Sequence, residues 1–465
     1  MSGVRSHVLG WVGRKYASRR LRHGLDLSSI GFLPQAVLMP LHRTGVDPVA
    51  DLALLRHTAP IAKLPIGFGF TVWLVSGYAE AKAVLGTVQG FSNDFTHLIG
   101  TAGATAADHP GGLGFADPPE HTRLRHLLTP EFTRRRLQRL IPRIESIVAN
   151  QLDNLGNTAT GTVDLWQDFA LPIPAMVICE LLGIPSEDRA DFQRLGTARF
   201  DLLAGAHPSL GALSESLTYL RGVMKHQRSH PGDGLLGMLI TEHGNDITDE
   251  ELAGLADGLL TGGLETTASM LALGALSLLQ DDQARERLLS DATAAAPVVE
   301  ELLRYLSVVQ VAFPRFATQD MQTCGVQIGA GDLVMCSLSG ANRDQTLGPG
   351  MEHFDPARDP TAYLAFGYGI HRCLAAELAR MELRIAYPAL LRRYPDIALA
   401  VAPEELSFRT SSLVFGLDAL PQPGYHFSPT ADQCALVAAP GARAVSWLGT
   451  CRSFDPGRAG SPRPR

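Results

Sequence analysis

The pattern of apolar and polar positions divides the chain into a long helical stretch flanked by short β-rich runs. Apolar residues recur at helical spacing from about residue 120 to 305. The run from Thr71 to Val75 predicts a strand before this stretch, and residues 306–345 turn β-rich after it, with glycines as punctuation. Helices grouped beside a small, segregated β-sheet region predict a mainly α domain of the α+β class.

The most distinct predicted element is a helix that begins after Thr248. Glu251 follows three residues later, which is the spacing of a capping box, and the helical pattern continues to near Gln280. Asp257 and Glu265 interrupt its apolar stretch. Because a membrane span needs about 20 nearly unbroken apolar residues, the pattern predicts a buried core helix instead. At this length the helix should cross the whole domain.

The chain has 465 residues, of which 45% are hydrophobic, so it can bury a large core. Without an internal repeat or a long linker, we expect one domain over residues 36–426. Residues 1–35 are basic, with apolar side chains at helical spacing. This pattern favours a solvated helical extension, and a helix on a membrane surface or a transit peptide is the alternative. Residues 427–465 are rich in Pro, Gly, Ser and Arg, which predicts a disordered tail.

Charge and cysteine usage exclude several classes of protein. The net charge is −7 and no basic stripe is interleaved with aromatic residues, so a nucleic-acid partner is not expected. The six cysteines are scattered and form no CxxC motif, which argues against a structural zinc site. With no secretory signal in the sequence, we expect reduced thiols and a cytoplasmic protein.

One cysteine stands in an unusual setting. Glycines at 367 and 369 let the backbone turn tightly and approach a flat ligand closely. Cys373 follows where a helix is predicted to begin, and a helix N-terminus should lower the thiol pKa and favour the thiolate. A lone buried cysteine is usually a small apolar side chain. The string from Phe366 through Gly367, Gly369 and His371 to Cys373 instead closely resembles the haem-binding loop of the cytochromes P-450.

This resemblance, which covers roughly residues 36–425, implies the cytochrome P-450 fold and a haem b cofactor (iron protoporphyrin IX). Cys373 would be the iron ligand, and Phe366 and Gly367 would lie against the haem. The two haem propionates need charged donors in a dry pocket. The positions that match the family's donors are His121, Arg125, Arg315 and His371.

The predicted core helix contains a second string that resembles the family. Gly262 and Gly263 are each locally destabilising in a helix, by about 1 kcal/mol relative to alanine. On the residues alone this is a kinked core helix, because the adjacent threonines can bond back to the preceding turn. The resemblance implies the oxygen-activation groove, with Thr266 as its alcohol and Glu265 in its proton relay. These two residues are the predicted catalytic pair.

A third resemblance concerns structure. Glu301 and Arg304 share one helix face, where a surface ion pair would contribute about 0.3 kcal/mol. In the family this pair is buried and joined by a later arginine, which Arg358 matches, so we assign the three residues to structure and haem assembly. Two residues depart from the family pattern. Ala375 replaces a usual glycine, and Tyr363 replaces a frequent histidine.

The substrate pocket is predicted from helical spacing and from the family's pocket segments. Its expected lining is mostly apolar: Gly258, Leu259, Gly262, Val311, Ala312, Phe313, Leu413 and Val414. The loop from Asn93 to Gly114 should cover it. An apolar lining predicts a small-molecule substrate with an apolar body, and a natural-product intermediate, free or carrier-bound, fits this prediction.

The resemblance implies a haem-thiolate monooxygenase that inserts one atom of dioxygen into its substrate. Three alternatives remain: oxidative coupling, a peroxide-driven enzyme, and an inactive haem-binding recruitment module. Glu265 and Thr266 argue against peroxide use but not against coupling. No GxGxxG motif follows a predicted strand, so electrons should come from a ferredoxin and its NAD(P)H-dependent reductase. The basic residues expected to dock the ferredoxin are Arg123, His126, Arg134, Arg135, Arg136 and Arg372.

Overall fold

The computed structural model describes residues 35–65, 71–94, 112–156, 162–184, 206–291, 293–409 and 412–423. The two predicted extensions, residues 1–35 and 427–465, lie essentially outside this part of the chain, as does most of the expected covering loop. The predicted domain boundaries therefore stay predictions.

Helices dominate the described chain, as the apolar periodicity predicts. The α-helices are Gln35–Leu38, Ala50–Thr58, Tyr78–Gly86, Glu120–Leu128, Arg134–Leu137, Ile141–Gly156, Pro172–Leu182, Ala206–Ser229, Leu235–His243, Asp249–Leu279, Asp282–Ser290, Ala295–Leu306, Leu338–Ala341 and Ala376–Arg393. Short 3-10 helices and one π-helical turn are Met39–Leu41, Gly112–Phe115, Thr129–Phe132, Gln138–Leu140, Trp166–Ala170, Gly244–Asp246, Gln345–Leu347, Gly369–His371 and Pro403–Glu405.

The strands are short and form one five-stranded sheet and three two-stranded sheets among the described residues. They are Arg43–Thr44, Asp47–Pro48, Ile61–Lys63, Val72–Val75, Phe91–Ser92, Thr162–Asp164, Arg315–Ala317, Met321–Thr323, Val326–Ile328, Leu333–Cys336 and Pro421–Pro423. In the five-stranded sheet, Leu333–Cys336 pairs in parallel with Val72–Val75, with Leu333 opposite Val72 and Cys336 opposite Val75. Strands about 260 residues apart are thus neighbours, a pairing that no local pattern predicts.

The helix Asp249–Leu279, called here the central helix, forms as its sequence predicts. Thr248 and Glu251 make both bonds of the capping box. It is the one described helix that is long and apolar enough to cross a membrane, but 72% of its apolar window is buried inside the protein. Its closest neighbours are the helices Pro172–Leu182, Ala206–Ser229 and Ala376–Arg393. The central helix is therefore the core helix around which the other helices pack.

Candidate active site

The cysteine loop, residues 364–375, connects an irregular segment, residues 348–363, to the helix Ala376–Arg393. The loop is held by backbone bonds, because Gly367 N donates to Leu364 O at 2.8 Å and Cys373 N donates to Phe366 O at 2.8 Å. Asn342 Oδ1 accepts from the Leu364 amide at 2.6 Å and anchors the start of the loop. The loop is thereby a rigid turn that presents the cysteine at its end.

The two predicted glycines have the conformations that the turn requires. Gly367 and Gly369 have φ values of +68° and +73°, in the left-handed region that favours glycine. A Cβ at Gly369 would overlap the Leu85 carbonyl oxygen, whereas a Cβ at Gly367 would have no described atom within 4 Å. Gly369 thus packs the loop against the helix Tyr78–Gly86, and Gly367 leaves open space beside the cysteine, as a flat ligand needs.

The Cys373 thiol is half-buried and makes no disulfide among the described residues. Burial raises its pKa, while the Ala375 N–H and the guanidinium groups of Arg372, Arg125 and Arg380 act in the opposite direction. The Ala375 N–H at the helix N-cap lowers the thiol pKa, as predicted, but desolvation outweighs this donor and the guanidinium groups, so the net shift of the pKa is upward. A cation bound at the sulfur would favour the thiolate, so the setting suits a metal ligand.

Beside the loop, the structure brings together all four predicted propionate donors. The His121 and His371 rings lie 4.4 Å apart, and Arg125 Nη2 donates to the Arg372 carbonyl at 2.7 Å. Among the described residues, neither His121 ring nitrogen, nor His371 Nδ1, nor Arg315 Nε has a hydrogen-bond partner. Buried nitrogens left without partners are costly, which indicates that a ligand with acceptor groups completes the cluster.

Electrostatics support an anionic ligand in this cluster. Burial, reinforced by His121, Arg315 and Arg125, lowers the pKa of His371 to about 3. Burial and Arg125 also lower the pKa of His121, while Asp117 opposes them. Both imidazoles are therefore neutral beside two guanidinium groups. Two carboxylates would supply the missing negative charge, and the residues therefore fit the propionates of a haem.

Arg315 has a second task that the sequence did not indicate. Its guanidinium donates to the carbonyl oxygens of Val84, Leu85 and Thr87 at 2.6–2.9 Å. These carbonyls terminate the helix Tyr78–Gly86, so Arg315 caps that helix and ties it to the sheet. Its Nε has no partner among the described residues and can donate to a propionate.

The middle of the central helix has one open face. The helix is buried along most of its length, but Gly258 and Leu259 are half-buried and Gly262 is exposed. No described atom lies within 4 Å of a Cβ placed at Gly262. Thr266 Oγ1 donates to the Gly262 carbonyl at 2.7 Å, the predicted bond to the preceding turn. Thr266 thus lies one turn from Gly262, beside the open face of the helix.

Glu265, the residue before Thr266, is buried inside the protein. Only 8% of the residue is exposed, and its Oε1 accepts from Arg409 Nη1 at 2.9 Å. Burial raises its pKa to about 7, although Arg409 lowers it. A carboxyl group with a pKa near neutrality can both release and accept a proton under ordinary conditions, which is what a relay needs. Sequence reasoning found Glu265 but missed Arg409, which lies 144 positions away.

The other predicted pocket residues fall into two groups. Phe313 and Leu413 are 51% and 50% exposed, unusually high values for large apolar side chains. The Phe313 ring lies 4.7 Å from the ring of Phe115. Ala312 and Val414 are half-buried. Val311, in contrast, is buried in a core cluster beneath the sheet, so it is less available to a substrate than the others.

The predicted structural cluster forms in the interior, as the resemblance implies. Arg304 donates to both Glu301 oxygens at 2.7 and 2.8 Å, and Arg358 Nε donates to Glu301 Oε1 at 3.0 Å. Further donors of Arg304 reach the carbonyls of Asn342, Met351 and His353. The cluster therefore pins the irregular segment before the cysteine loop to the helix Ala295–Leu306.

The departure at Tyr363 has a local explanation. The Tyr363 hydroxyl donates to Glu300 and accepts from Arg380 Nη2, and Arg380 also donates to Glu300 Oε1 at 2.8 Å. The Arg380 guanidinium lies 4.5 Å from the Phe366 ring centroid. Tyrosine thus keeps a hydrogen-bonded network beside the cysteine loop. Ala375 lies at the helix N-cap with a φ of −88°, which alanine adopts freely.

Comparisons with known proteins agree with this geometry. Residues 293–414 match the family profile described as Cytochrome P450. The chain is 41% identical over 377 residues to Cytochrome P450 165C4 of Amycolatopsis orientalis, covering 79% of this chain and 92% of that relative. It is 40% identical over 382 residues to the cytochrome P450 monooxygenase PikC of Streptomyces venezuelae, covering 81% of this chain and 91% of that relative.

Among solved structures, the fold is similar to OxyC, described as a cytochrome P450 implicated in an oxidative C–C coupling reaction during vancomycin biosynthesis. That structure is 38% identical with a TM-score of 0.75, over 82% of this chain and 96% of that chain. The cysteine loop lies beside the cluster of His121, Arg125, Arg315 and His371, and the central helix has an open face. These features fit a haem-thiolate oxidoreductase. The chain belongs to the cytochrome P450 family. It is a monooxygenase of bacterial type with haem b as its cofactor.

Proposed function

We propose that this cytochrome P450 oxidises a mainly apolar natural-product intermediate at the open face of the central helix. The observation that carries the proposal is the apolar opening formed by Gly258, Leu259 and Gly262, with the exposed side chains Phe313 and Leu413 in the other pocket segments. An opening of this kind takes up apolar carbon surface at about 25 cal/mol per Å². The expected reaction is hydroxylation or a related insertion of one oxygen atom.

Each site residue has a proposed role. Cys373 binds the iron, and His121, Arg125, Arg315 and His371 hold the propionates, because their free nitrogens and positive charges converge. The bound haem supplies the activation of dioxygen. Thr266 and Glu265 belong to the protein's own proton delivery, since one opens on the groove and the other has a pKa of about 7.

Electron supply is proposed to come from a ferredoxin with its NAD(P)H-dependent reductase, in the cytoplasm. Arg372, Arg134 and Arg135 are exposed, whereas Arg123 pairs with Glu251, and Arg136 lies 3.5 Å from Glu131. Of the predicted docking arginines, Arg372, Arg134 and Arg135 are therefore best placed to attract an acidic partner. Such charge mainly raises the rate of encounter.

A second candidate function is oxidative coupling of aromatic rings. The similarity to OxyC favours it, since that protein is described with C–C coupling. The same open groove could place two aromatic groups side by side. Coupling joins two carbon atoms without adding oxygen to the product, so product mass separates the two candidates.

The proposal is tested with the haem-loaded protein in two steps. Its reduced, CO-treated form should show the strongly red-shifted Soret band of thiolate-ligated haem. A library of apolar natural products is then screened for the spin-state shift of ferric haem. Hits are incubated with ferredoxin, reductase and NADPH, and the products are weighed by mass spectrometry. A gain of one oxygen supports hydroxylation, and a loss of two hydrogens supports coupling. A library in which only polar compounds shift the spin state would contradict the apolar site.

A further inference from the structure

The partner of Glu265 lies on the segment that also carries predicted pocket residues. Residues 407–409 and 416–418 pair as the two arms of a hairpin, through the bridge between Phe408 and Leu417 and the bond from Asp418 N to Ser407 O at 3.0 Å. Arg409 lies on the first arm, and Leu413, a few residues before the second arm, is 50% exposed. The hairpin is called here the C-terminal hairpin. It connects the pocket opening to the buried carboxyl group.

Arg409 is held in place by contacts on several sides. Its guanidinium lies 4.3 Å from the centroid of the Trp166 ring, and its Nε donates to the Leu417 carbonyl at 3.3 Å. The Arg409 backbone N donates to Gly416 O at 2.9 Å. A guanidinium stacked on a buried indole has few alternative orientations, since the planar faces exclude other geometries. The arginine is thus aimed at Glu265.

A glycine leaves the space that this arrangement needs. A Cβ at Gly416 would lie 2.6 Å from Arg409 Nη2 and 2.8 Å from Ser269 Oγ. Its φ lies outside the left-handed region, so the reason for glycine here is space and not backbone conformation. Ser269 is one turn beyond Glu265 on the central helix, and its buried hydroxyl has no partner among the described residues. Gly416 therefore opens the passage through which Arg409 reaches the acid.

We propose that Arg409, on the C-terminal hairpin, is a positioning residue for Glu265 that keeps the buried carboxylate ionised and oriented. This inference deepens the proposed proton-delivery role of Glu265 and rests on it. A buried carboxyl group with no cation would stay protonated and could not take up a proton. The stacked Arg409 guanidinium offsets the desolvation penalty of the ionised Glu265, so this acid can both release a proton and take one up.

Two acids on neighbouring elements accept hydrogen bonds from groups other than Arg409. Asp168, on the Trp166 turn, accepts from the Asp164 backbone N at 3.1 Å. Asp418, at the base of the hairpin, accepts from Ser407 Oγ at 2.6 Å. Asp257 lies two turns before Glu265 on the central helix and is buried. Arg409 is the charged side chain that acts on the pKa of Glu265.

The test measures protonation of Glu265 by infrared spectroscopy of the ferric, haem-loaded protein, with no substrate added. The carboxylic acid band that disappears in Glu265→Gln is assigned to Glu265 and followed across pH. In Arg409→Gln the group should stay at least tenfold more protonated at pH 8 than in the wild-type protein. Arg409→Lys should restore most of the ionisation, because it returns the charge without the planar stack.

Gly416→Ala provides an independent variant that leaves every charged residue in place. The added methyl group should displace the Arg409 guanidinium and reproduce the Arg409→Gln titration. Gly222→Ala is its control, since a Cβ there meets no described atom within 4 Å. An unchanged Glu265 titration in both Arg409→Gln and Gly416→Ala would overturn the proposal. Loss of the red-shifted CO band in the wild-type protein would instead overturn the proposed function, so the two failures are distinct.

Discussion

At the scale of single residues, the surroundings of a side chain shift its pKa away from the value typical of its residue type. Cys373 has a raised pKa because burial outweighs three nearby guanidinium groups. His371 has a pKa of about 3, although a free imidazole titrates near neutrality. A metal cation at the sulfur would lower the thiol pKa, and carboxylates beside the imidazoles would raise their pKa, so a bound haem would act against both shifts.

Replacement of Cys373 tests its assignment as the iron ligand. Cys373→Ser should lose the red-shifted Soret band of the reduced CO complex, because a hydroxyl group is far less acidic than a thiol and a poor ligand for haem iron. Absorbance spectroscopy measures the band. Cys336→Ala and Cys179→Ala, both at buried cysteines, should keep it. Retention of the band in Cys373→Ser would show that the assignment of the ligand is wrong.

The alcohol at the groove leads to a second residue-scale prediction. Thr266→Ala should bind haem and substrate normally but divert electrons to hydrogen peroxide, because the hydroxyl at the groove edge is lost. General acid–base groups contribute roughly 100-fold or more, so product formed per NADPH consumed should fall at least about tenfold. Thr266→Ser is the matched control and should retain most of the coupling. Equal coupling in Thr266→Ala would leave Thr266 as a helix-bending residue only.

At the scale of elements, the central helix combines good local signals with close packing that its own sequence does not show. The capping box and apolar content predict its start and length. Its approach to the helix Ala376–Arg393 depends on Gly274, where a Cβ would overlap the Tyr387 hydroxyl group. That hydroxyl donates to the Met270 carbonyl in the interior. Gly274 thus lowers the local helix propensity but permits close contact between the two helices.

Gly274→Ala should therefore destabilise the protein by about 1–3 kcal/mol, the usual cost of overpacking a core. Denaturant unfolding of the haem-loaded protein measures the change. Tyr387→Phe in the same chain should recover part of the loss, because it removes the overlapping oxygen. Gly254→Ala is the control on the same helix, since a Cβ there meets no described atom. It should be neutral or stabilise by up to about 1 kcal/mol. A Gly274→Ala protein as stable as the wild type would contradict the close contact.

At the scale of the whole molecule, the site is assembled from distant parts of the chain. The cationic cluster joins His121 and Arg125 to Arg315 and His371, and the acid of the central helix meets an arginine of the C-terminal hairpin. The parallel pairing of Val72–Val75 with Leu333–Cys336 brings together two segments that lie far apart in the sequence. Surface charge belongs to this scale too, because a partner meets residues from several elements at once.

The proposed ferredoxin face is tested by charge reversal at the whole-molecule scale. Arg372→Glu with Arg135→Glu should slow reduction by an acidic ferredoxin at low salt, with reduction by dithionite unaffected. The slowing should shrink as salt rises, since the screening length is about 8 Å at physiological ionic strength. Stopped-flow absorbance measures both rates. Arg392→Glu, an exposed arginine at the far end of the helix after the cysteine, is the control. Equal ferredoxin rates at low salt would exclude this docking face.

The sequence by itself determined the mainly helical character of the chain, the capping box and extent of the central helix and the strand at residues 72–75, and it predicted the iron-binding thiol. These features depend on the spacing of apolar and polar residues within short segments, which the sequence shows directly. It also indicated the acid and alcohol of the groove and the four propionate donors. Their role came from resemblance, because residues such as His121 or Arg315 taken singly are ordinary polar residues.

Tertiary structure alone decided the rest. Arg409 became the partner of Glu265, Arg315 became a helix cap, and Tyr363 joined a network with Glu300 and Arg380. The direction of the Cys373 pKa also depended on burial rather than on the helix start. The physical reason is common to these cases. Desolvation and ion pairing depend on distances between residues far apart in sequence, and those distances exist only once the chain has packed.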